Sequence, residues 1–142
     1  MIRRQSEDWH RSLSKSLEQL LNQPHLKFSQ ITPSALPERA GVYLITKIED
    51  GIEIPYYVGR SKNIRQRIYN NHLMGPLSNA RLKKYLIDNG ICLNKDKAKD
   101  FILRNCAVRW IEIDEEDYRR RGAIESFCTA LLFPEYGIDE EH

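Results

Sequence analysis

Apolar positions along the chain fall into blocks of two different periods. Between Glu7 and Asn22, Trp9, Leu13, Leu17, Leu20 and Leu21 recur at helical spacing, which predicts an amphipathic helix. Pro24, Pro33 and Pro37 interrupt any period and predict an irregular linker. Gly41 to Ile48 is rich in β-formers and predicts a strand. Glu49-Asp50-Gly51 is a turn signal, and Ile52 to Gly59 predicts a second strand, weakest at Pro55, which has no N–H for a ladder. Asn63 can cap a helix running to about Leu73. A second short helix fits Asn79 to Asp88, closed by Asn89-Gly90. Ala107 to Ile113 alternates as a third strand. Glu116 to Phe133 is the strongest helix, with Ala123, Ile124, Phe127, Cys128, Leu131 and Leu132 as its stripe and Pro134 as its stop. The order of helix, hairpin, helices, strand and helix predicts an α+β fold, a small and largely antiparallel three-stranded sheet flanked by helices.

The length of 142 residues suits one domain, and 41% apolar with 30% charged residues suits an ordinary packed core. No apolar run approaches the roughly 18 residues needed to span a bilayer, so no membrane partner is expected. The basic N-terminus is followed by no apolar core, so it does not read as a secretory signal. Cys92, Cys106 and Cys128 are odd in number and widely spaced, without a CxxC pair or zinc-spaced histidines. Free thiols in a reducing cytoplasm follow from that pattern. His10, His25 and His142 stand in no motif and read as surface residues.

A net charge of +2 decides nothing, but its distribution does. From Tyr57 to Ile87 there is no acidic residue, while Arg60, Lys62, Arg65, Arg67, Arg81, Lys83 and Lys84 all fall there. Acid collects instead in Glu112-Ile113-Asp114-Glu115-Glu116-Asp117. A one-signed patch suits a nucleic-acid backbone, and a solvated basic helix face is the alternative.

Tyr43 and Tyr57 lie in the two strands of the hairpin. A three-residue loop of Glu49, Asp50 and Gly51 would pair Ile48 with Ile52, oppose Tyr43 to Tyr57 and place both phenols on one face. A two-residue Asp50-Gly51 loop would put them on opposite faces. Spacing alone permits both, but the three-residue loop wants positive φ at its third position, where Gly51 stands, and is the closure expected.

Gly41-Val42-Tyr43 followed by Tyr57-Val58-Gly59 resembles the two half-motifs of the GIY-YIG nuclease family, and the run on through Arg60 to Ile68 resembles the second motif continuing into a helix. Ile124-Glu125-Ser126-Phe127 through Tyr136 resembles that family's glutamate helix and closing segment. The resemblance covers roughly Gly41 to Gly137, so residues 41–142 read as a nuclease-like catalytic domain, and 1–40 as a helix and proline-containing linker packing on or extending it. It implies a metal-dependent endonuclease acting on DNA, with RNA not excluded, as a monomer or homodimer. Tyr43 and Tyr57 would be the general-base and orienting pair, with nearby cations lowering the pKa of a phenol. Arg67 would hold the scissile phosphate. Glu125 would ligate one Mg²⁺ or Mn²⁺. Arg60, Lys62, Arg65, Asn71, Arg81, Lys83 and Lys84 would contact backbone phosphates.

Two positions depart from the family's pattern. Asn71 stands where many members carry histidine or tyrosine, with His72 next, and Gly137 stands where asparagine is common. On a regular helix Asn71 lies about 40° from Arg67 and His72 about 140°. Chemistry prefers His72, because imidazole exchanges protons near neutrality. A helix loosened before Gly75-Pro76 would admit His72, leaving Asn71 to phosphate. The alternative to an enzyme is a binding module that keeps the basic groove without turnover.

Overall fold

The computed structural model describes residues 1–138; His142 lies outside them. Helix α1 (Ile2–Asn22) leads into a two-residue strand β1 (Leu26–Lys27). The hairpin follows as β2 (Gly41–Glu49) and β3 (Ile52–Ser61). A π-helical segment (Gln66–Leu73), α2 (Arg81–Asp88) and α3 (Lys95–Asn105) come next. Strand β4 (Cys106–Glu112) and α4 (Tyr118–Leu132) complete the chain. The sheet is antiparallel with order β1-β4-β2-β3. It has four strands, not the expected three, because the linker lends Leu26 and Lys27 to β4. A two-residue strand carries no periodicity to read.

One sheet face carries Tyr43, Ile45, Tyr57 and Val108 and buries them under Ile64, Ile68, Leu82, Leu86, Ala98 and Ile102 of the π-helical segment, its lead-in, α2 and α3. The other face carries Val42, Leu44, Val58 and Ile111 under Leu20 of α1 and Ile124 and Cys128 of α4. The segment before Gly41 thus supplies both a covering helix and a strand. Helix α3 was absent from the periodic pattern, since only Ala98 and Ile102 face inward among its charges; Asn94 caps it through Lys97 N–H at 2.9 Å. The apolar stripe of α4 is narrower than expected: Leu131 is exposed, and Arg121 is buried, donating to the Asp114 and Glu115 carbonyls at 3.2 Å. All three cysteines are buried and unpaired. Among the described residues no helix is long and apolar enough to cross a membrane.

The hairpin closes through two residues. Glu49 pairs with Ile52, and Asp50 and Gly51 both take positive φ, 52° and 77°, as a type I′ turn requires. The expected three-residue loop is therefore corrected. The parity lost at the turn is restored by a bulge: Thr46 pairs with Pro55 but Ile45 pairs with Tyr57, leaving Tyr56 as an extra residue. Beyond the bulge, Tyr43 faces Gly59 and shares its sheet face with Tyr57. Strand β3 lies at the sheet edge, where Pro55 is tolerated. The closing segment covers that edge, with Glu135 N–H donating to Pro55 O at 3.1 Å and Tyr136 N–H to Tyr56 O at 3.0 Å.

An ion pair ties the N-terminal segment to the sheet. Arg109 grips Glu53 with both terminal guanidinium nitrogens, and its Nε donates to Gln23 O at 2.8 Å. Thr46 Oγ1 donates to Glu53 at 2.8 Å, and His25 sits 3.0 Å from the same carboxylate. The Arg109 hydrogen bonds hold the Glu53 carboxyl down at about 2, against an ordinary 4.5. A depressed carboxyl stabilises the fold above its unfolded pKa and loses that contribution as pH falls through the folded one. Discounted for partial exposure, the contribution is on the order of 2 kcal/mol. Urea midpoints measured from pH 5 down to pH 2 are expected to fall more steeply in the native protein than in Glu53→Gln.

Candidate active site

Tyr43, Tyr57, Arg67 and His72 converge under the sheet. The phenol rings of Tyr43 and Tyr57 stack with centroids 6.2 Å apart. Tyr43 is fully buried, and its hydroxyl lies 2.7 Å from His72 Nε2. Arg67 Nε donates to the same hydroxyl at 3.4 Å and is also within bonding reach of Tyr57. The His72 ring stands 5.6 Å from Tyr43 and 5.2 Å from Tyr57, centroid to centroid.

The glycines of the two half-motifs make this packing possible for lack of a Cβ. A Cβ on Gly59 would lie 2.3 Å from Tyr43 Oη and 2.4 Å from its Cζ. A Cβ on Gly41 would lie 2.0 Å from the Ile111 carbonyl oxygen of the paired strand. The first residue must be absent of side chain for the phenol to lie across β3, and the second for β2 to approach β4. Gly137, with φ of 96°, backs onto Tyr57: a Cβ there would meet the ring at 3.2 Å. Tyr85 and Tyr136 brace the outer side of Tyr57, the first 6.5 Å from it and the two stacked at 5.8 Å.

The helix after the second half-motif decides between Asn71 and His72. Its residues 66–73 wind with five-residue hydrogen bonds, as in Met74 N–H to Tyr69 O at 2.9 Å. The wider turn holds about one extra residue, which swings His72 toward the Arg67 face. The loosening runs the length of the segment and is not confined to its end. His72 is fully buried, and Asn71 is half-buried beside it. The imidazole does not titrate near neutrality: burial first, then the charges of Arg67, Lys83 and Arg81, push it down to about 3. Burial also drives the Tyr43 phenol up, reinforced by Tyr57 and only partly opposed by Arg67. With His72 neutral, Tyr43 protonated and Arg67 Nε already donating to the phenol oxygen, the hydroxyl proton is the one left to bridge to Nε2, so Tyr43 O–H donates to His72. The proton on Nδ1 is then buried with no partner among the described residues. An unsatisfied buried donor costs about 1–3 kcal/mol, so this imidazole is a burden on the fold where an apolar ring would not be.

A cleft of about 480 Å³ opens beside Tyr57, lined by Arg81, Glu125, Ser126, Phe133 and Gly137 among others. Glu125 projects into it from α4, half-buried. Burial raises its carboxyl above the usual range, opposed by Arg60, Arg81 and Arg67 and by the Arg60 backbone amide. No group of three or more His, Cys, Asp or Glu side chains converges among the described residues. A single hard oxygen in an open cleft fits Mg²⁺ or Mn²⁺, which fill their other positions with water and substrate phosphate.

The basic residues do not form one surface. Arg60 runs along α4 at Gly122, close to Glu125, and Arg81 donates to Tyr85 Oη at 3.0 Å on the rim of the cleft. Lys84 is exposed on α2. Lys62 lines a separate recess with Glu38, Arg39, Glu112, Asp114 and Glu115. Two residues expected at phosphates are engaged by other groups of the protein, Lys83 in the interior and Arg65 nearer the surface. Arg65 Nε donates to Leu36 O at 2.9 Å, and its Nη1 pairs with Glu38 at 3.2 Å. Lys83 is buried, with Nζ on the carbonyl oxygens of Leu73 and Gly75. Charge runs in a sequence do not reveal which cations a turn elsewhere will claim.

Residues 39–118, more than half of the 142, match the family model described as the GIY-YIG catalytic domain. That stretch holds both tyrosines, Arg67 and His72 and ends as α4 begins, before Glu125. No curated protein and no solved structure matches the chain at a significant level.

Proposed function

Because the chain belongs to the GIY-YIG family, a family of endonucleases in general, we propose that it hydrolyses DNA phosphodiester bonds with one divalent cation. The observation that carries this reading is that Tyr57 and the half-buried Glu125 line one cleft, with Arg67 close enough to act on the Glu125 carboxylate and anchored from behind by the buried Tyr43 hydroxyl.

In this reading Glu125 supplies a carboxylate oxygen to Mg²⁺ or Mn²⁺, which when bound stabilises charge on the leaving oxygen. Arg67 binds the scissile phosphate through the guanidinium face that Tyr43 leaves open. Tyr57, which borders the cleft, is the general base. With the Arg67 guanidinium beside it, it takes a proton from the water that attacks phosphorus in line. The bond from phosphorus to the leaving oxygen breaks as the bond to water forms. Tyr43 keeps its proton, gives it to His72 in a hydrogen bond, and so fixes Arg67 from behind. Arg60, Arg81 and Lys84 contact flanking phosphates, with Asn71 at the helix edge. One site cuts one strand. The three free thiols fit a reducing, cytoplasmic setting.

Purified protein incubated with supercoiled plasmid is expected to nick it with Mg²⁺ and not with EDTA. Absence of nicking under Mg²⁺ and Mn²⁺ alike, with DNA binding intact, would leave a binding module. Each phosphate contact adds a slope of about −0.9 to log K against log salt on duplex DNA. Removing Arg81 and Lys84 together should therefore flatten the slope by nearly two, whereas removing Lys84 and Arg65, which is held by Leu36 O and Glu38, should flatten it by about one.

A further inference from the structure

We propose that Lys83 is a positioning residue, whose buried ammonium locks residues 66–73 in their π-helical register and so holds His72, in place of Asn71, against Tyr43. The inference rests on the nuclease reading for its catalytic consequence but not for its structural one.

Lys83 stands where a lysine is least expected. It is 1% exposed. It lies in the first turn of α2 beside Arg81 and Lys84, at the positive end of the helix dipole and with no side-chain cap. Lys95 and Lys99 of α3 repel it, and Asp96 opposes them. What offsets these costs is at the other end of its side chain. The last carbonyls of any helix lack intrahelical partners, and Lys83 Nζ donates to Leu73 O at the end of the π-helical segment and lies 3.5 Å from Gly75 O in the turn that follows. A cation there also meets the negative end of that helix's dipole.

The register matters because the alternatives differ by one side chain. In an ordinary helix the residue about 40° from Arg67 is Asn71, and His72 is rotated about 140° away. The π-helical winding brings His72 round to the Arg67 side beside Asn71, and in that winding His72 Nε2 lies 2.7 Å from the Tyr43 hydroxyl. His72 brings an unsatisfied Nδ1 with it, so its own burial does not favour the register. Lys83 closes the end of the segment and supplies the missing preference. Burial and the neighbouring lysines push its ammonium down to about 8, so the clamp weakens in mildly alkaline solution.

Lys83→Met keeps the length of the side chain and removes the charge. It is expected to lower kcat about a hundredfold, the range for misplacing a catalytic constellation by an ångström, with KM little changed. In a His72→Ala background the same substitution should cost less than about threefold, because the two act through one contact. Nitrogen and ring-proton resonances of His72, read by NMR without any substrate, should lose the signature of the Tyr43 hydrogen bond in Lys83→Met. In the unaltered protein those resonances should shift with a midpoint near pH 8, although His72 itself does not titrate there; this arm requires no variant to fold. A full Lys83→Met effect on top of His72→Ala, or His72 resonances unmoved both by the substitution and between pH 7 and 9.5, would overturn the proposal. Resonances that respond in a protein that never nicks DNA would uphold the register lock and remove the nuclease reading alone.

Discussion

Replacing Glu125 with alanine is expected to abolish plasmid nicking while leaving DNA affinity within a few-fold of native. The geometry behind this is a single carboxylate at the cleft, with no second acid converging on it among the described residues. A metal's charge stabilisation is worth several kcal/mol, and each 1.36 kcal/mol is tenfold in rate. Losing the one protein ligand should then cost about a thousandfold or more. The electrostatics add a second, less obvious expectation. Arg60, Arg81 and Arg67 act on the same carboxylate and repel a free cation. Cation binding to the protein alone should be weak and should tighten when DNA phosphates neutralise those arginines. Calorimetry with Mn²⁺, with and without a non-cleavable duplex, reads the coupling directly. Native nicking by Glu125→Ala would remove the metal assignment, and equal cation affinity with and without DNA would remove the coupling.

Much of the fold could be read from the chain, and its failures have physical causes. The strands of the hairpin, β4 and α4 announce themselves by period and by their stops. Strand β1 is too short to show a period, and α3 buries only Ala98 and Ile102 beneath a lysine-rich surface. The pairing of the two tyrosines is more instructive. The Asp50-Gly51 turn alone places them on opposite faces, and the bulge at Tyr56 returns them to one. A bulge beside a proline in an edge strand is a local event that alternation cannot register, so two departures from a simple hairpin cancelled. His72 was reachable by chemistry and not by helical geometry, because the segment winds as a π-helix, which a 100° period does not describe. For Lys83 and Arg65 the charge was visible, but not the Leu73 and Leu36 carbonyl oxygens, in other elements of the fold, that engage them.

Removing one hydroxyl from each tyrosine is expected to separate two roles that the motif alone does not distinguish. Tyr57 borders the cleft and Tyr43 does not. Tyr57→Phe should lower kcat by about a hundredfold to ten-thousandfold, the range for losing a general base, with KM and thermal stability nearly unchanged. Tyr43 is sealed inside, and burial holds its proton on. Tyr43→Phe should also slow turnover, but through Arg67 and His72, whose shared anchor is gone. Its distinguishing consequence is in the fold. His72 Nδ1 already lacks a partner, and the substitution would strip Nε2 of its own, leaving an imidazole with no hydrogen bond in the core. An abandoned buried acceptor costs about 1–3 kcal/mol, which for a domain of this size is a fall of several degrees in Tm. Combining Tyr43→Phe with His72→Leu should restore most of that stability without restoring activity. Equal Tm values for the two phenylalanine variants would place Tyr43 in the cleft beside Tyr57 and return the general-base role to contention between them.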